Sequence, residues 1–367
     1  MAIDPDFWTG RRVLVTGHTG FKGAWLSLWL QSLGARVSGL AGGAPTRPSL
    51  YELAGIGVHL QERAADVRDG RAVREAMRAA DPEIVVHLAA QPMVRRSLRD
   101  PVATYEVNVL GTVNVLDAVR REGANVRAVV VVTSDKCYAN PTGHEDPAGA
   151  AGHENPAGAS KRFNEDDPLG GEDPYSSSKA CAELVTGAYR SSFFSSEDSP
   201  RVATARAGNV IGGGDWGEDR LIADAVRAVR SGEPLKVRNP HAVRPWQHVL
   251  SPLSGYLILA QELWQASDVA RAWNFGPPDG DARTVGWIVE RLGTLWDGEL
   301  RWQLDEGANP PEAAYLALDS GLAERELGWR ARWDLGEALE RVVAWHRAER
   351  RGEDMRRVSL DQIAEFA

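Results

Sequence analysis

The chain has 367 residues, of which 25% are charged and 43% apolar, with a formal net charge of −9 at pH 7. This length allows a large buried core, and the composition is ordinary for a globular protein. The acidic balance argues against a general binder of nucleic acid or membrane surfaces. We find no apolar run of the roughly 18 residues that a membrane span needs and no signal-peptide pattern. We therefore expect a cytoplasmic protein.

The first half of the chain alternates short apolar runs with amphipathic stretches. Strands are predicted near 11–16, 36–40, 58–65, 83–88 and 126–132, and helices near 23–33, 70–80, 101–121 and 176–194. Buried strands that alternate with helices indicate a parallel sheet covered on both faces. The predicted fold class is α/β, a Rossmann-type doubly wound parallel sheet with a smaller mixed α/β lobe toward the C-terminus.

The second half of the chain is less regular. A long loop rich in Pro, Gly, Ala, Asn and Glu is predicted from 138 to 169. A strand at 202–211 follows it, and helices are predicted at 220–231, 250–267, 284–295 and 335–350. The charge-rich stretch 347–357 is expected to be solvated or frayed.

A glycine-rich loop joins the first predicted strand to the first predicted helix. It comprises Gly17, His18, Thr19, Gly20, Phe21, Lys22 and Gly23, with its three glycines at three-residue spacing. Glycine permits the tight turn and the close approach of a pyrophosphate, and the helix N-terminus supplies free N–H groups and a positive field. The loop therefore predicts dinucleotide binding.

The residues alone leave the choice between NAD and NADP open. An acid after the second strand would bond the 2′-hydroxyl of NAD, but that strand runs into Ala41-Gly42-Gly43 and no acid appears. Arg47 and Lys22 are candidates for a 2′-phosphate. Other candidate cofactor contacts follow the third and fourth strands, namely Asp66, Val67, Leu88, Ala89 and Ala90. Tight-turn packing explains the alanines nearly as well.

Two segments carry side chains that can move protons. Thr133-Ser134-Asp135-Lys136 follows the fifth strand, and Tyr175 stands four residues before Lys179 in a predicted helix. That spacing places both on one helix face, where the lysine charge favours ionisation of a phenol whose ordinary pKa is about 10. The plainer alternatives are that Tyr175 and Lys179 lie on an exposed helix face and that Asp135 and Lys136 form a surface ion pair. The neighbouring dinucleotide loop and the carboxyl end of a strand favour catalysis.

These motifs, together with Asn108-Val109-Leu110-Gly111-Thr112, resemble the extended short-chain dehydrogenase/reductase superfamily over roughly residues 10–335. Within it the chain is similar to nucleotide-sugar 4,6-dehydratases, and more narrowly to their CDP-glucose branch. The narrower likeness lies in 17–23, 87–92, 133–138, 167–171, 205–216 and 219–220. Lys136 marks that branch, because the dTDP- and GDP-sugar relatives place glutamate near that position.

The resemblance implies a cofactor, a domain division and an assembly. NAD is expected, with a homodimer or dimer of dimers built on the helices near 101–121 and 176–194. We assign 1–205 with about 240–268 to the NAD-binding domain, about 206–239 with 269–350 to a nucleotide-sugar lobe, and 351–367 to a tail. The implied setting is deoxysugar biosynthesis for polysaccharides such as O-antigen or lipopolysaccharide.

The resemblance also implies a mechanism. Tyr175, helped by Lys179 and Thr133, would take the proton of the sugar 4-hydroxyl while hydride leaves C4. Asp135 would then protonate the departing 6-hydroxyl and Lys136 would remove the C5 proton. Hydride would return to C6, leaving CDP-4-dehydro-6-deoxy-D-glucose and water. An ion pair between Asp135 and Lys136 would oppose both roles, so we expect none in the productive complex.

The remaining candidates concern substrate and metal. Gln91 is a candidate for sugar hydroxyls, and Asn108 is expected near the cofactor as a brace for its helix or for the Thr133 strand. The candidates for the nucleoside diphosphate are Asn209, Trp216, Arg220 and Arg244, with Trp246 as an alternative to Trp216. Salt bridging rivals the arginine assignments, and core packing is an equal alternative for both tryptophans. No histidine or cysteine spacing predicts a metal.

Two other functions remain open from the residues. A nucleotide-sugar 4-epimerase shares the loop and the Tyr175–Lys179 pair but needs no acid–base pair at C5 and C6, so Asp135 and Lys136 discriminate against it. A catalytically silent cofactor-binding scaffold would not need Thr133, Tyr175 and Lys179 together. The nucleotide base rests on the resemblance alone, so a 4,6-dehydratase for another nucleotide sugar is also open.

Overall fold

A computed structural model describes residues 2–140, 162–266, 268–307 and 315–367. Most of the predicted 138–169 loop lies outside these residues. Within the described ranges, no helix combines the length and the apolar character required to cross a bilayer.

Helices and strands alternate regularly up to β6. The helices are α1 Pro5–Trp8, α2 Phe21–Ser32, α3 Leu50–Leu53, α4 Gly70–Ala80, α5 Val94–Arg99, α6 Pro101–Tyr105, α7 Gly111–Glu122, α8 Pro174–Phe193, α9 Leu221–Ser231, α10 Leu250–Gln265, α11 Val285–Leu295, α12 Gly321–Glu326, α13 Leu335–Arg350 and α14 Met355–Phe366. The strands are β1 Arg12–Thr16, β2 Arg36–Ala41, β3 Gln61–Ala64, β4 Ile84–His87, β5 Ala128–Val132, β6 Arg201–Arg206, β7 Val210–Ile211, β8 Leu235–Val237, β9 Val243–Pro245, β10 Gln247–His248, β11 Ala272–Asn274, β12 Ala282–Thr284 and β13 Trp302–Leu304.

A seven-stranded parallel sheet forms the centre of the fold, in the order β11-β6-β5-β4-β1-β2-β3. Strands β4 and β5 are buried along their whole length, as expected when helices cover both faces. Because β1 pairs with both β2 and β4, the chain order reverses beside it, and the carboxyl ends of β1 and β4 border the crevice where such sheets bind ligands. The predicted α/β class is confirmed.

Two apolar layers cover the sheet. Helices α2 and α10 pack on one face through residues such as Trp25, Trp29 and Leu257, and α4 and α7 pack on the other through Met77 and Val115. Helix α2 is apolar on nearly all sides and buried from Gly23 to Leu30, which suits a helix enclosed between a sheet and other helices.

One predicted boundary is wrong. Strand β11 was assigned to the 269–350 lobe, but it pairs in parallel with β6 and forms the edge of the central sheet. A separate apolar cluster joins α9, α11 and α13 within the ranges assigned to the lobe. The division into two lobes otherwise stays a prediction.

The charge-rich stretch 347–357, predicted to be solvated or frayed, is solvated at 350–354, where every residue is exposed, but it is not frayed. Residues after 354 form α14, which packs against α2. Asp354 caps this helix by accepting hydrogen bonds from the backbone N–H groups of Arg356 and Arg357 at 3.0 and 3.2 Å. Phe366 is 2% exposed, with its ring centroid 5.8 Å from that of Trp29. Buried apolar side chains such as Phe366 therefore hold α14 against the protein, although its outer face is charged.

We predict that Phe366→Ala lowers the free energy of unfolding by about 3 kcal/mol or more, because truncation of a buried phenylalanine loses apolar contact and leaves a cavity. The matched control is Glu365→Ala, since Glu365 is exposed and forms only a surface pair with Arg341 at 3.0 Å; it should cost at most about 1 kcal/mol. Urea unfolding measures both. Equal effects would show that α14 is not anchored as described.

Candidate active site

The glycine loop turns sharply against the end of β4. Gly17 has a φ of 74°, and a Cβ on it would lie 2.7 Å from the backbone nitrogen of Ala89. A Cβ on Gly23 would lie 2.1 Å from the carbonyl oxygen of Gly17. Side chains at these two positions would break the turn, and the turn directs the N-terminus of α2 at the crevice. This cradle fits the pyrophosphate of a dinucleotide.

His18 and Thr19 tie the loop to the neighbouring strands. The buried His18 ring covers Gly39, and its Nε2 lies 3.1 Å from Oε1 of Glu62. Burial lowers the pKa of His18, with Glu62 opposing that shift. The Thr19 hydroxyl donates to the carbonyl of Gly43 at 2.8 Å. Cofactor contacts by these two side chains stay a prediction.

Lys22 lies in the first turn of α2 and faces the centre of the crevice. The pKa of Lys22 is lowered to about 7: burial is the main cause, Asp135 opposes the shift, and Arg220 and Lys179 add to it. These neighbours indicate that the amine lies near the proton-transfer groups, and a contact with an adenosine 2′-phosphate stays a prediction. Arg47, the other 2′-phosphate candidate, is 85% exposed in its side chain and pairs with Glu52.

The ends of β3 and β4 provide the remaining cofactor candidates. Asp66 is exposed, and its Oδ2 accepts from the Arg68 guanidinium at 2.8 and 3.0 Å, which lowers the pKa of the Asp66 carboxyl. Val67 packs on Gly111, where a Cβ would lie 2.8 Å from it. Ala89 donates its backbone N–H to the Thr16 hydroxyl at 3.2 Å. An adenine contact at Asp66 remains a prediction.

Tyr175 and Lys179 lie together in the first turns of α8. Asp173 caps the helix by accepting from the backbone N–H of Tyr175 at 2.9 Å, and Ser97 Oγ accepts from the same N–H at 3.1 Å. Lys179 Nζ donates to the carbonyl of Val132 at 3.3 Å. Burial raises the pKa of Tyr175 to about 12 and lowers that of Lys179 to about 8. Burial therefore opposes the charged form of both groups.

The hydroxyl that serves Tyr175 is that of Ser134, and the prediction of Thr133 is wrong by one residue. A hydrogen bond between Tyr175 and Ser134 lowers the pKa of the Tyr175 phenol against the effect of burial. The Thr133 hydroxyl instead donates to Oε1 of Glu183 at 2.5 Å. Ser134 is extended, with φ −164° and ψ 158°, and neighbouring side chains of extended backbone point in opposite directions.

Asp135 and Lys136 begin a 3₁₀ turn just beyond β5. The Oδ1 atom of Asp135 accepts from the Ser134 hydroxyl at 2.9 Å, whereas Oδ2 is buried and has no hydrogen-bond partner among the described residues. A Cβ at Gly208 would lie 1.6 Å from that oxygen, so only glycine leaves room there. Asp135 and Lys136 form no ion pair with each other. A buried, unpaired carboxyl oxygen is what a proton donor or acceptor for substrate requires.

Among the substrate candidates, Arg220 reaches the catalytic groups. Its Nη1 donates to Oδ2 of Asp215 at 2.7 Å, and its charge acts on Tyr175 and Lys22. Arg244 is buried in β9 and donates to the Val243 carbonyl at 2.9 Å. Asn209 has a φ of 45°. Diphosphate binding by Arg244 and Asn209 stays a prediction.

Two predicted substrate contacts are engaged within the protein, and their contact with substrate stays a prediction. The Gln91 amide donates to Met93 O and Thr104 Oγ1 at 3.1 and 3.0 Å and accepts from Met93 N at 2.7 Å. It braces its own turn and is 6% exposed. Trp216 is 7% exposed and packs in the apolar core edge-to-face on Trp345. The core-packing alternative explains it.

Asn108 braces the site from a π-helical turn at Glu106–Leu110. Its Nδ2 donates to Ser178 Oγ at 2.8 Å, and its Oδ1 accepts from the Gln91 backbone at 2.8 Å. These bonds hold α8 to the segment after β4. Such π-bulges often occur at functional sites.

A polar cleft of about 310 Å³ lies beside α9 and β8, and its lining includes Arg95, Asp219, Lys236 and Arg238. Arg95 and Arg238 lie 3.3 and 3.7 Å from the Asp219 carboxylate. Asp219 precedes Arg220, so the cleft adjoins the substrate candidate that reaches the catalytic groups. Sequence reasoning missed these basic residues because they come from separate elements.

The glycine loop forms a cradle for a dinucleotide, and the buried Tyr175–Lys179 pair accompanies the turn that carries Asp135 and Lys136. Together these features define a dinucleotide-dependent enzyme. Residues 13–276 match the model of the NAD dependent epimerase/dehydratase family, and the chain belongs to that family.

Among its relatives, the chain is 48% identical to a CDP-glucose 4,6-dehydratase of Salmonella typhimurium strain LT2, over 99% of this chain and 98% of the relative.

Two solved structures show the same fold with a cofactor. One is a dTDP-glucose 4,6-dehydratase double mutant from Streptomyces venezuelae with NAD bound, at 25% identity and a TM-score of 0.73, covering 94% of this chain and 99% of that chain. The other is a UDP-glucose 4-epimerase of Thermus thermophilus in complex with NAD, at 26% identity and a TM-score of 0.74, covering 92% and 99%. The likeness spans dehydratases and epimerases alike.

We predict that Ser134→Ala slows hydride transfer about tenfold or more, because a hydrogen bond to an ionised group contributes about 1.5–3 kcal/mol. Ser134→Thr keeps the hydroxyl and should retain most of the rate. Stopped-flow absorbance of the nicotinamide in a single turnover measures both. Slower transfer in Thr133→Val than in Ser134→Ala would show that Thr133 serves the phenol after all.

Proposed function

We propose that this chain is an NAD-dependent hydro-lyase that converts CDP-D-glucose to CDP-4-dehydro-6-deoxy-D-glucose and water. The observation that carries the proposal is the buried Asp135, which accepts from Ser134 through Oδ1, acts on the pKa of Tyr175 and leaves Oδ2 without a partner among the described residues. Lys179 completes the set that would perform the oxidation step. Epimerisation needs Ser134, Tyr175 and Lys179 but no acid at the position of Asp135. The Salmonella relative at 48% identity supports both the reaction and the CDP-sugar.

In the oxidation step, Tyr175 accepts the proton of the sugar 4-hydroxyl. Its pKa of about 12 in the protein alone makes it a poor base at neutral pH. Ser134 stabilises the phenolate once its hydroxyl turns from Asp135 Oδ1 to donate to the phenol oxygen, and the positive charge of Lys179 acts in the same direction. Bound NAD supplies the hydride acceptor and returns the hydride at the end of the turnover.

In the elimination step, the protein supplies an acid and a base. Oxidation at C4 makes the C5 proton acidic, and Lys136 removes it and returns it to C5 when hydride adds at C6. Asp135 delivers a proton to the departing 6-hydroxyl through Oδ2, the oxygen that no described residue occupies. The absence of an ion pair between the two residues leaves each free to act on the sugar.

One side of the crevice suits the NAD cofactor, and the other suits the nucleoside diphosphate of the substrate. Gly17, Gly20, Gly23 and the N-terminus of α2 would hold the pyrophosphate of NAD. The exposed Arg47 is engaged by Glu52, which supports NAD over NADP. Arg220 suits the nucleoside diphosphate, because guanidinium groups bind phosphate oxygens bidentately. Arg95 and Arg238 are further candidates in the adjoining cleft, whose lining has mixed charge and where both pair with Asp219.

The test is a panel of CDP-, UDP-, dTDP- and GDP-glucose, each incubated with NAD or NADP. We expect CDP-glucose with NAD to give the near-ultraviolet absorbance that 4-keto-6-deoxy sugars develop in base. Asp135→Asn should retain partial reduction of NAD while losing water elimination. A sole product with inverted C4 and an intact 6-hydroxyl would show an epimerase instead.

We further propose a homodimer through α6, α7 and α8, in a reducing cytoplasm where Cys137 and Cys181 stay free thiols. Exposed apolar side chains concentrate on this side of the molecule. They are Val102 at 67%, Tyr105 at 39%, Leu184 at 62% and Phe193 at 50% exposure, with Leu110 between α6 and α7 at 45%. Exposed apolar side chains on helices that pack side by side are typical of a protein interface. A dimer of dimers stays a prediction.

Leu184→Arg should convert the dimer to a monomer, because it places a charge in the apolar contact. Val58→Arg is the matched control, since Val58 is apolar and 82% exposed but lies elsewhere. Sedimentation velocity at micromolar concentration measures the mass. A wild-type monomer, or an unchanged dimer in Leu184→Arg, would contradict the interface.

A further inference from the structure

Glu183 is a buried carboxylate that the proposed mechanism does not use. It is 6% exposed and lies on α8, one helical turn beyond Lys179. Its Oε1 accepts from the Thr133 hydroxyl at 2.5 Å and from Arg206 Nε at 2.9 Å. Its Oε2 accepts from the Thr204 hydroxyl at 2.6 Å and from Arg206 Nη2 at 3.0 Å. Four hydrogen bonds thus hold the carboxylate in one position.

The partner of this carboxylate is equally buried. The side chains of Arg206 and Glu183 are 3% and 4% exposed. Arg206 also donates to the Tyr138 hydroxyl at 2.6 Å and to the Glu165 carbonyl at 3.1 Å. A buried ion pair is often no more stabilising than apolar residues of the same size. Fold stability alone is therefore a weak reason for this pair.

The pair joins three elements that carry the proton-transfer groups. Thr133 immediately precedes Ser134 and Asp135, so its bond to Glu183 fixes the chain from which both project. The carboxylate sits on the helix that carries Tyr175 and Lys179. Arg206 anchors the assembly to β6. A shift of Glu183 would move Ser134 relative to the Tyr175 phenol.

Glu183 is also the carboxylate opposite Lys179. Its charge raises the pKa of Lys179, against the larger effect of burial, whereas burial raises the pKa of Cys137 and keeps that neighbour a neutral thiol. Other groups face this amine from α2, β4 and α8. They are Lys22, whose pKa Lys179 lowers, His87, which burial and Lys179 keep neutral with a pKa of about 3, and Tyr175. Arg206 lies behind Glu183 and opposes its field.

We propose that Glu183 is a positioning residue for hydride transfer: it fixes Ser134 through Thr133, and it supplies the negative charge that keeps the Lys179 amine protonated beside Tyr175. This rests on the proposed roles of Tyr175 and Lys179. Loss of the carboxylate charge leaves burial unopposed, so Lys179 releases its proton at a lower pH. The phenolate then lacks its cation at a pH where the wild-type enzyme retains it.

The first test titrates Lys179 directly and needs no substrate. The chain has five lysines, so ¹³Cε-lysine labelling gives few NMR signals, and Lys179→Arg identifies the one required. We expect the midpoint of Lys179 to fall by about one pH unit or more in Glu183→Gln, as the loss of a nearby buried charge requires. Glu183→Asp keeps the charge and should stay close to wild type. An unchanged midpoint in Glu183→Gln would overturn the proposal.

A second measurement separates this proposal from the proposed function. In the dehydration of CDP-glucose, kcat of Glu183→Gln should fall at lower pH on its alkaline limb than that of wild type, and Glu183→Asp should restore the limb. If Glu183→Gln lowers the midpoint of Lys179 but the wild type dehydrates no nucleotide sugar, the proposed function is contradicted. The effect of the Glu183 charge on Lys179 is then still supported. If the wild type dehydrates CDP-glucose but the alkaline limb of kcat does not move in Glu183→Gln, the role of Glu183 is refuted and the proposed function stands.

Glu183→Gln leaves the Arg206 charge buried and unpaired, which is strongly destabilising. If that variant does not fold, Glu183→Gln with Arg206→Met removes both charges. Glu183 shares α8 with Lys179 at one-turn spacing, whereas Arg206 lies beyond it on β6, so the midpoint should still fall, by a smaller amount. A folded double variant with the wild-type midpoint would overturn the proposal.

Discussion

Burial of the Tyr175 phenol and the Lys179 amine constrains the rest of the site. Water is removed from both groups, and each loses stability in its charged form. The surrounding residues supply dipoles and charges in place of water. Ser134 provides a hydroxyl for the phenol, Glu183 provides a carboxylate for the amine, and Arg220 adds positive charge near the phenol. The groups that ring the pair are therefore as much a part of the chemistry as the pair itself.

The same constraint explains why small residues line the crevice. Gly208 leaves room for the free oxygen of Asp135, and Gly17 lets the loop approach Ala89. In both places a single methyl group would occupy space that a reacting or binding group needs. Lys22 enters the crevice from the same loop and brings another amine to the site. The charge of Asp135, in the turn after β5, therefore influences the pKa of Lys22 in the glycine loop.

Much of the architecture follows from local patterns, because strand and helix periods and glycine spacing are properties of short segments. The α/β sheet, the glycine loop and the Tyr175–Lys179 pair could all be predicted in this way. The choice between Thr133 and Ser134 could not be predicted from the sequence, because the two adjacent hydroxyls differ only in the direction in which each side chain points at the end of β5. Glu183 carries no signal on a helix face until Arg206, which is 23 residues away in sequence, is seen to meet it. Strand β11 spans only Ala272–Asn274, too short for a recognisable alternation.

The docking of α14 on α2 has a consequence for the opposite end of α2. Helix α2 is a single rigid body whose N-terminus completes the glycine cradle, while its outer side supports the last helix through Gln31, which accepts from Arg356 at 3.0 Å. A ligand bound in the cradle favours the docked state of α14 only if docking changes the cradle, because linkage requires a difference in affinity between the two states. Protection of amide hydrogens in α14 would then report occupancy of a site at the opposite end of α2.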